Sequence, residues 1–165
     1  MRFLSIFFSL LLSGGCSGRF HSIEPSTRTP KLYERTDFTV LLTSDYRNSY
    51  LQEEVALDML IETPSGEERL LPCFWVEGKS GAESRWEARF TPQEPGRYFC
   101  RFRLSEQGEE VARSRAVELS VQPAAEGERG ILHVRDNWTL VYDDGTPFRG
   151  VAENICWESR ANDDS

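Results

Sequence analysis

Hydrophobic and polar residues alternate with a period of two along the middle of this chain, and turn-forming residues lie between the alternating runs. The apolar positions are Phe38, Val40 and Leu42; Val55, Leu57, Met59 and Ile61; Trp86, Ala88 and Phe90; Tyr98, Cys100, Phe102 and Leu104; and Val117, Leu119 and Val121. A period of two is typical of half-buried β-strands. The pattern predicts an all-β domain over residues 33–123, a β-sandwich of about seven strands.

The turn before one of these strands reads Pro95-Gly96-Arg97-Tyr98-Phe99-Cys100. It resembles the tyrosine corner of immunoglobulin-like folds, in which the phenolic hydroxyl binds the backbone a few residues upstream. We therefore expect Tyr98 to have a structural role at the start of the penultimate strand. The strand over residues 55–61 lacks the cysteine of true immunoglobulins, so the predicted fold is immunoglobulin-like.

The N-terminus has the layout of an export signal. Met1-Arg2 supplies a positive charge, Phe3–Leu12 is apolar, and Ser13–Cys16 has the small residues of a cleavage site. The apolar run is too short for a permanent membrane helix, which needs about twenty residues. Residues 1–15 are therefore predicted to be a signal peptide.

The sequence Ser13-Gly14-Gly15-Cys16 resembles a bacterial lipobox, with Ser13 at a position where leucine is more usual. This resemblance implies that Cys16 is lipidated and anchors the protein in a bacterial membrane, facing the periplasm or the cell surface. An ordinary secretory signal with an incidental cysteine is the alternative. Residues 16–32 contain prolines and many Ser and Thr, and we expect them to form a tether.

The C-terminal segment, residues 131–165, has a different pattern. Two short β-prone runs, 131–134 and 139–142, flank the turn-prone Asp136-Asn137, and a second turn is expected at 143–147. The run Phe148–Ile155 is apolar on both faces, as in strands of a parallel sheet. Since such a strand needs a sheet around it, we interpret this segment as the beginning of a larger domain.

Two stretches carry a family resemblance. Val141–Phe148, Gly150 and Glu153–Trp157 resemble the opening of a family-5-like or apiosidase-like glycoside hydrolase (β/α)8 barrel, although Ala152 stands where a second glycine is usual. Upstream, the resemblance is to the DUF5060-like immunoglobulin-like module of unknown function that precedes such barrels. It is carried by Leu71–Trp75, Trp86–Pro92 and Glu94–Tyr98.

The resemblance implies the N-terminal part of a bacterial glycoside hydrolase acting on polysaccharide. The sandwich would be an accessory module, followed by a hairpin and the first strand of a truncated barrel. Its partners would be the missing downstream barrel, polysaccharide, and a membrane reached through the lipid anchor. The two catalytic glutamates of such barrels follow the fourth and seventh strands, beyond Ser165, so this chain is predicted to be inactive. The alternative is a stand-alone lipoprotein module that binds glycan or protein without catalysis.

Several side chains are candidates for binding. Asn154 and Trp157 come at the C-terminal end of the predicted barrel strand, where barrel active sites lie, so they are candidate substrate contacts; packing is the alternative. The other tryptophans are candidate sugar-stacking platforms, but the alternation places Trp86 in the core. The role of Trp75 stays open.

The cysteines, the net charge and the histidines limit which bonds and ligands we expect. Cys73 and Cys100 are the candidate disulfide, because an oxidising compartment permits it and Cys16 and Cys156 are assigned elsewhere; buried free thiols are the alternative. The formal net charge of −8 disfavours nucleic-acid binding, which requires a basic surface. Neither histidine has a partner at metal-ligand spacing, so we expect no metal or cofactor.

Overall fold

The computed structural model describes residues 18–136 and 138–150. The chain divides into two compact units between Ala125 and Glu126. In the first unit the strands are β1 (Phe20–Pro25), β2 (Thr36–Thr43), β3 (Val55–Glu62), β4 (Glu68–Pro72), β5 (Phe74–Gly78), β6 (Glu83–Phe90), β7 (Gly96–Glu106), β8 (Glu109–Arg113) and β9 (Val117–Val121). The second unit contains β10 (Leu132–Val134) and β11 (Leu140–Tyr142).

The first unit is a β-sandwich of two antiparallel sheets. One sheet has the order β1-β2-β6-β5, and the other has the order β4-β3-β7-β8, with β9 also on β7. Strands β8 and β9 share one edge of β7, and the break between them contains the buried Ser114. The backbone N–H of Ser114 donates to the Phe102 carbonyl at 2.8 Å, and its hydroxyl accepts the Phe102 N–H at 2.9 Å. Ser114 thus satisfies both backbone groups of Phe102 where the ladder is interrupted.

The core confirms the all-β sandwich that the alternation predicts. Every apolar position named in the five runs is buried except Val117, which is half-buried. Rings from opposite sheets meet in the middle: Phe38 and Phe102 have centroids 5.6 Å apart, and Phe90 and Tyr98 have centroids 5.4 Å apart. The inner faces of both sheets therefore form one hydrophobic layer.

The tether predicted over residues 16–32 is wrong for the residues that the structure describes. Strand β1 pairs antiparallel with β2, and its Phe20 and Ile23 pack on the core. The segment 28–32 then crosses to the other sheet and runs parallel to β9, with hydrogen bonds of 2.8–2.9 Å and a buried Pro30. Prolines are tolerated here because they lie at an edge and at the crossing, where the ladder needs no N–H.

The chain enters and leaves the sandwich at opposite ends. Phe20 pairs with Leu42 beside the loop that leads to β3, whereas Val121 pairs with Gly96 at the far end of β7. Strand β7 has 11 residues. At about 3.3 Å per residue, the two ends are about 35 Å apart.

The second unit contains the predicted hairpin. Strands β10 and β11 pair antiparallel, and the Asp136 carboxylate accepts the backbone N–H groups of Trp138 and Thr139 at 2.9 and 2.7 Å in the turn. In the second turn, the Asp144 carboxylate accepts both the N–H and the hydroxyl of Thr146. Most of the strand predicted over Phe148–Ile155 lies outside the described residues.

The part of the chain that the structure describes contains no helix with the length and apolar character needed to cross a membrane.

Candidate functional site

Three of the predicted site residues, Cys16, Asn154 and Trp157, lie outside the described residues. Lipidation of Cys16 and substrate contact by Asn154 and Trp157 therefore stay predictions. The structure places the remaining ones, Tyr98, Cys73 and Cys100, within the sandwich.

The Tyr98 hydroxyl binds the backbone of the preceding turn both as a hydrogen-bond donor and as an acceptor. It donates to the Glu94 carbonyl at 3.1 Å and accepts the Glu94 N–H at 2.9 Å. Burial raises the pKa of Tyr98, because ionisation would place a charge among apolar groups, although the hydrogen bond from the Glu94 N–H opposes this. The ring lies in the core and the hydroxyl fixes the turn, so the side chain has the structural role that the sequence predicts for it.

The predicted disulfide between Cys73 and Cys100 is absent, and both thiols are free. Cys73 lies opposite Leu57 on one edge of β3, whereas Cys100 pairs with Ile61 on the other edge. Four residues along β3 and two strand spacings across it put the two cysteines more than about 15 Å apart. A disulfide requires Cα atoms within about 7 Å.

Both thiols are also poorly suited to chemistry. Burial raises the pKa of the Cys73 thiol well above its usual range, and the nearby Asp58 carboxylate raises it further. Burial raises the pKa of Cys100 to about 12. Because the thiolate is the reactive form, neither residue is a nucleophile at neutral pH.

The three tryptophans of the described residues have different environments. Trp86 is a core residue, as the alternation predicts, and its indole N–H donates to the Ser84 hydroxyl at 3.1 Å. Trp138 is 95% exposed in the hairpin turn of the second unit. Trp75 is half-buried on β5 and forms part of a surface groove of the sandwich.

This groove has a volume of about 190 Å³ and lies between the loop 44–54 and the β4–β5 connection. The indole N–H of Trp75 donates to the Tyr46 hydroxyl at 3.2 Å, which fixes the orientation of the indole ring. The Tyr50 ring meets Trp75 edge-on at 5.5 Å and is 74% exposed. The groove is also lined by Ser49, Gln52, Asp58, Pro72 and Phe74.

Glu54 holds the loop that carries Tyr46 and Tyr50. Its carboxylate accepts the backbone N–H groups of Arg47 and Asn48 at 2.7 and 3.0 Å. These two hydrogen bonds lower the pKa of Glu54, because they favour the charged form. Glu54, the last residue of the loop, thus fixes the conformation of the loop by accepting these two hydrogen bonds from its earlier residues.

The groove combines aromatic surface with a few polar groups, as small-molecule sites do. The Asp58 carboxylate is held by the Arg103 guanidinium at 2.7 Å, and the Arg89 guanidinium lies 4.9 Å from the centre of the Phe74 ring. The arrangement suits binding of a neutral polar ligand with an apolar face. Among the residues described, no three His, Cys, Asp or Glu side chains lie close enough together to hold a metal ion.

The sequence indicated only part of this groove. The Leu71–Trp75 motif drew attention to Trp75, but nothing indicated Tyr46 or Tyr50. Both lie in a loop without periodicity, where the pattern gives no information about which side chains meet.

No protein-family model matches this sequence, and no curated protein does. Among solved structures, the chain is similar to an uncharacterized Listeria monocytogenes protein in complex with glucose, magnesium and calcium. The identity is 16% and the TM-score 0.49, over 60% of this chain and 9% of that one. It is also similar to a DUF4785 family protein of Legionella pneumophila, at 16% identity and a TM-score of 0.37, over 62% of this chain and 28% of that one. The chain thus spans a small part of each.

Proposed function

We propose that this chain is the N-terminal accessory part of an exported, membrane-anchored glycoside hydrolase that acts on polysaccharide. The strand order supports an immunoglobulin-like sandwich: β1-β2-β6-β5 corresponds to strands A-B-E-D of that fold, and β3, β7 and β9 correspond to C, F and G. Strand β4 adds one strand beside C. The motifs that resemble the module preceding these barrels lie on β4, β5, β6 and the turn that leads into β7.

The observation that carries the proposal is the second unit, a hairpin with uncovered apolar side chains. Its two strands have three residues each, and Val134 and Trp138 are 73% and 95% exposed. An isolated two-stranded hairpin is marginally stable in water. These features support a hairpin that closes one end of a larger domain, and the resemblance in the sequence implies that this domain would be a (β/α)8 barrel.

In this proposal the sandwich does no chemistry. Hydrolysis belongs to two carboxylates of the downstream barrel, about 5–5.5 Å apart in a retaining enzyme. The sandwich is the accessory module that precedes the barrel in the chain. In this proposal, residues 1–165 by themselves are expected to have no hydrolase activity.

The genomic sequence after codon 165 tests this proposal. We expect an open reading frame that encodes barrel strands and an Asn-Glu pair after one of them. The long product should hydrolyse polysaccharide, whereas residues 1–165 alone should not. A stop codon after Ser165 without a downstream barrel would contradict the proposal.

A second candidate function is a stand-alone module that binds glycan, and the groove at Trp75 favours it. The faces of pyranose rings pack well on aromatic side chains, and Tyr50 offers an exposed ring beside polar groups. Affinity electrophoresis in gels containing soluble polysaccharides tests this function. Tyr50→Ala should abolish retardation, whereas Leu70→Ala, at a 52% exposed position on the other sheet, should leave it unchanged.

A further inference from the structure

The first described residues are fixed to one end of the sandwich, which we call the proximal end. The Arg19 guanidinium binds the Glu106 carboxylate through two nitrogens, at 3.1 and 3.3 Å, and donates to the Thr43 carbonyl at 3.4 Å. The Glu106 side chain is 14% exposed and also accepts the Asp45 N–H at 3.0 Å. Planar, two-point pairing of arginine with a carboxylate restricts both side chains.

The backbone of Arg19 is fixed as well. Its carbonyl accepts the Thr43 N–H at 2.8 Å, which extends the pairing of β1 with β2 by one residue. Arg19 thereby joins the last residue of β2 in one sheet to the last residue of β7 in the other. From Arg19 onward, hydrogen bonds to β2 hold the backbone of the chain on the sandwich.

Cys16 is three residues before Arg19. A fully extended chain spans about 3.3–3.6 Å per residue, so at most about 11 Å separates the two Cα atoms. A lipid on Cys16 would therefore hold the proximal end within about 11 Å of the anchored residue. This distance is comparable to the headgroup region, which is about 5–8 Å thick on each side of a hydrocarbon core of about 30 Å. A tether of the length expected from the sequence would leave the sandwich free to tumble.

We propose that the proximal end of the sandwich is a lipid-facing surface and that the sandwich is a rigid stalk, with the exit point at Val121 held about 35 Å farther from the membrane. This inference rests on the anchor at Cys16 in the proposed function. The partner is a layer of zwitterionic lipid headgroups.

The chemistry of the proximal end suits such a layer. The side chains of Arg47 and Asp45 are 88% and 70% exposed there, and Lys79 is exposed beside three further exposed carboxylates, Glu53, Glu83 and Glu109. Both signs of charge are interspersed, so this surface complements headgroups that carry a phosphate and an ammonium. A strongly anionic bilayer would not attract this chain electrostatically, because the chain has a negative net charge.

Depth-dependent fluorescence quenching tests the orientation. The full chain, expressed with its signal segment, is purified from membranes and placed in phosphatidylcholine vesicles containing a headgroup nitroxide lipid. A fluorophore is attached at Lys79→Cys, at the proximal end, or at Gln93→Cys, in the exposed turn at the opposite end, both in a Cys156→Ser background. Cys73 is half-buried and Cys100 is buried, and the raised pKa of both thiols disfavours their labelling at pH 7.

We expect several-fold stronger quenching at position 79 than at position 93. A long Gly/Ser linker inserted between Gly18 and Arg19 is the matched control, and it should make the two positions equal because it restores free tumbling. Equal quenching without the linker, in protein that floats with the vesicles, would overturn the orientation alone. Protein that does not float would overturn the anchor and the orientation together, whereas the hydrolase proposal is judged separately by activity.

Discussion

The hydroxyl of Tyr98 and the backbone of Glu94 satisfy each other completely, because the hydroxyl donates to the carbonyl and accepts from the N–H of the same residue. This pair closes the turn between β6 and β7 at the end of the sandwich where the chain leaves. The ring of Tyr98 is 1% exposed and contacts Phe90 across the core. The turn and the core are therefore coupled through one side chain.

Tyr98→Phe should lower the free energy of unfolding by about 1–2 kcal/mol, because it keeps the ring but leaves two backbone groups of Glu94 without a partner. Denaturant melts followed by tryptophan fluorescence measure this change. Tyr50→Phe is the control, since that ring is 74% exposed and should shift stability by less than about 0.5 kcal/mol. An unchanged midpoint for Tyr98→Phe would remove the structural role assigned to the hydroxyl.

The same residue should make stability depend on alkaline pH. The pKa of Tyr98 is raised in the folded state, chiefly by burial. Its contribution is therefore complete below the unfolded pKa of about 10 and is lost as the pH rises through the folded value. Wild type should lose stability above about pH 10 more steeply than Tyr98→Phe. Parallel pH profiles would contradict this. The thiols of Cys73 and Cys100 are present in both proteins, so their effects cancel in the comparison.

Reducing agent should leave the sandwich unchanged. In a Cys16→Ser, Cys156→Ser background, dithiothreitol should not shift the melting temperature, because Cys73 and Cys100 are unbonded. Both thiols should react with maleimide at pH 8 only after denaturant is added, since burial raises their pKa. A melting temperature lowered by several degrees in reductant would instead indicate a disulfide.

Removing the segment before Tyr33 should destabilise the sandwich. This truncation deletes β1 and the parallel pairing with β9, and it uncovers core that Phe20, Ile23 and Leu32 now cover. A loss of at least about 3 kcal/mol is expected from the buried apolar area alone. Calorimetry of a chain beginning at Tyr33, compared with one beginning at Ser17, measures the effect. Equal melting temperatures would show that β1 is dispensable.

Adding a side chain at Gly96 should destabilise the sandwich. Its φ is +127°, and an added Cβ would lie 3.0 Å from the ring of Pro64. Gly96→Ala should therefore cost about 1–3 kcal/mol. Gly18→Ala is a suitable control, because nothing lies within 4 Å of its Cβ position and no positive φ is required. Equal stability of the two variants would argue against the strained turn.

The sequence predicted the strands whose inner faces are uniformly apolar and missed those at the edges. In β3, the alternation from Val55 to Ile61 identified both the strand and its buried side. Strand β1, Phe20–Pro25, has two apolar side chains among polar ones and a terminal proline. Such a composition is equally typical of a linker, and only pairing with β2 turns it into a strand.

The candidate site was less predictable than the fold, for a physical reason. Trp75 and Tyr46 are 29 residues apart, and their hydrogen bond depends on how a loop without periodicity folds over β5. The predicted disulfide between Cys73 and Cys100 is wrong for a similar reason. Cys100 follows the alternation into the core, whereas Cys73 lies where the chain crosses from one sheet to the other. The two cysteines were paired because the other two were assigned elsewhere, and that reasoning gives no information about the strand β3 that lies between them.

The parallel contact between residues 28–32 and β9 also determines how the sandwich resists force. A pull on the N-terminus draws residue 28 toward the proximal end, while a pull on the C-terminus draws Val121 the opposite way. Three hydrogen bonds, from Ser120 to Arg28, from Gln122 to Pro30 and from Leu32 to Gln122, then carry the load side by side in shear. They must break together, whereas a hairpin opened from its end loses one bond at a time. Once β1 has slipped from β2, force applied between the two ends of the sandwich would therefore meet a mechanical clamp before the core strands separate.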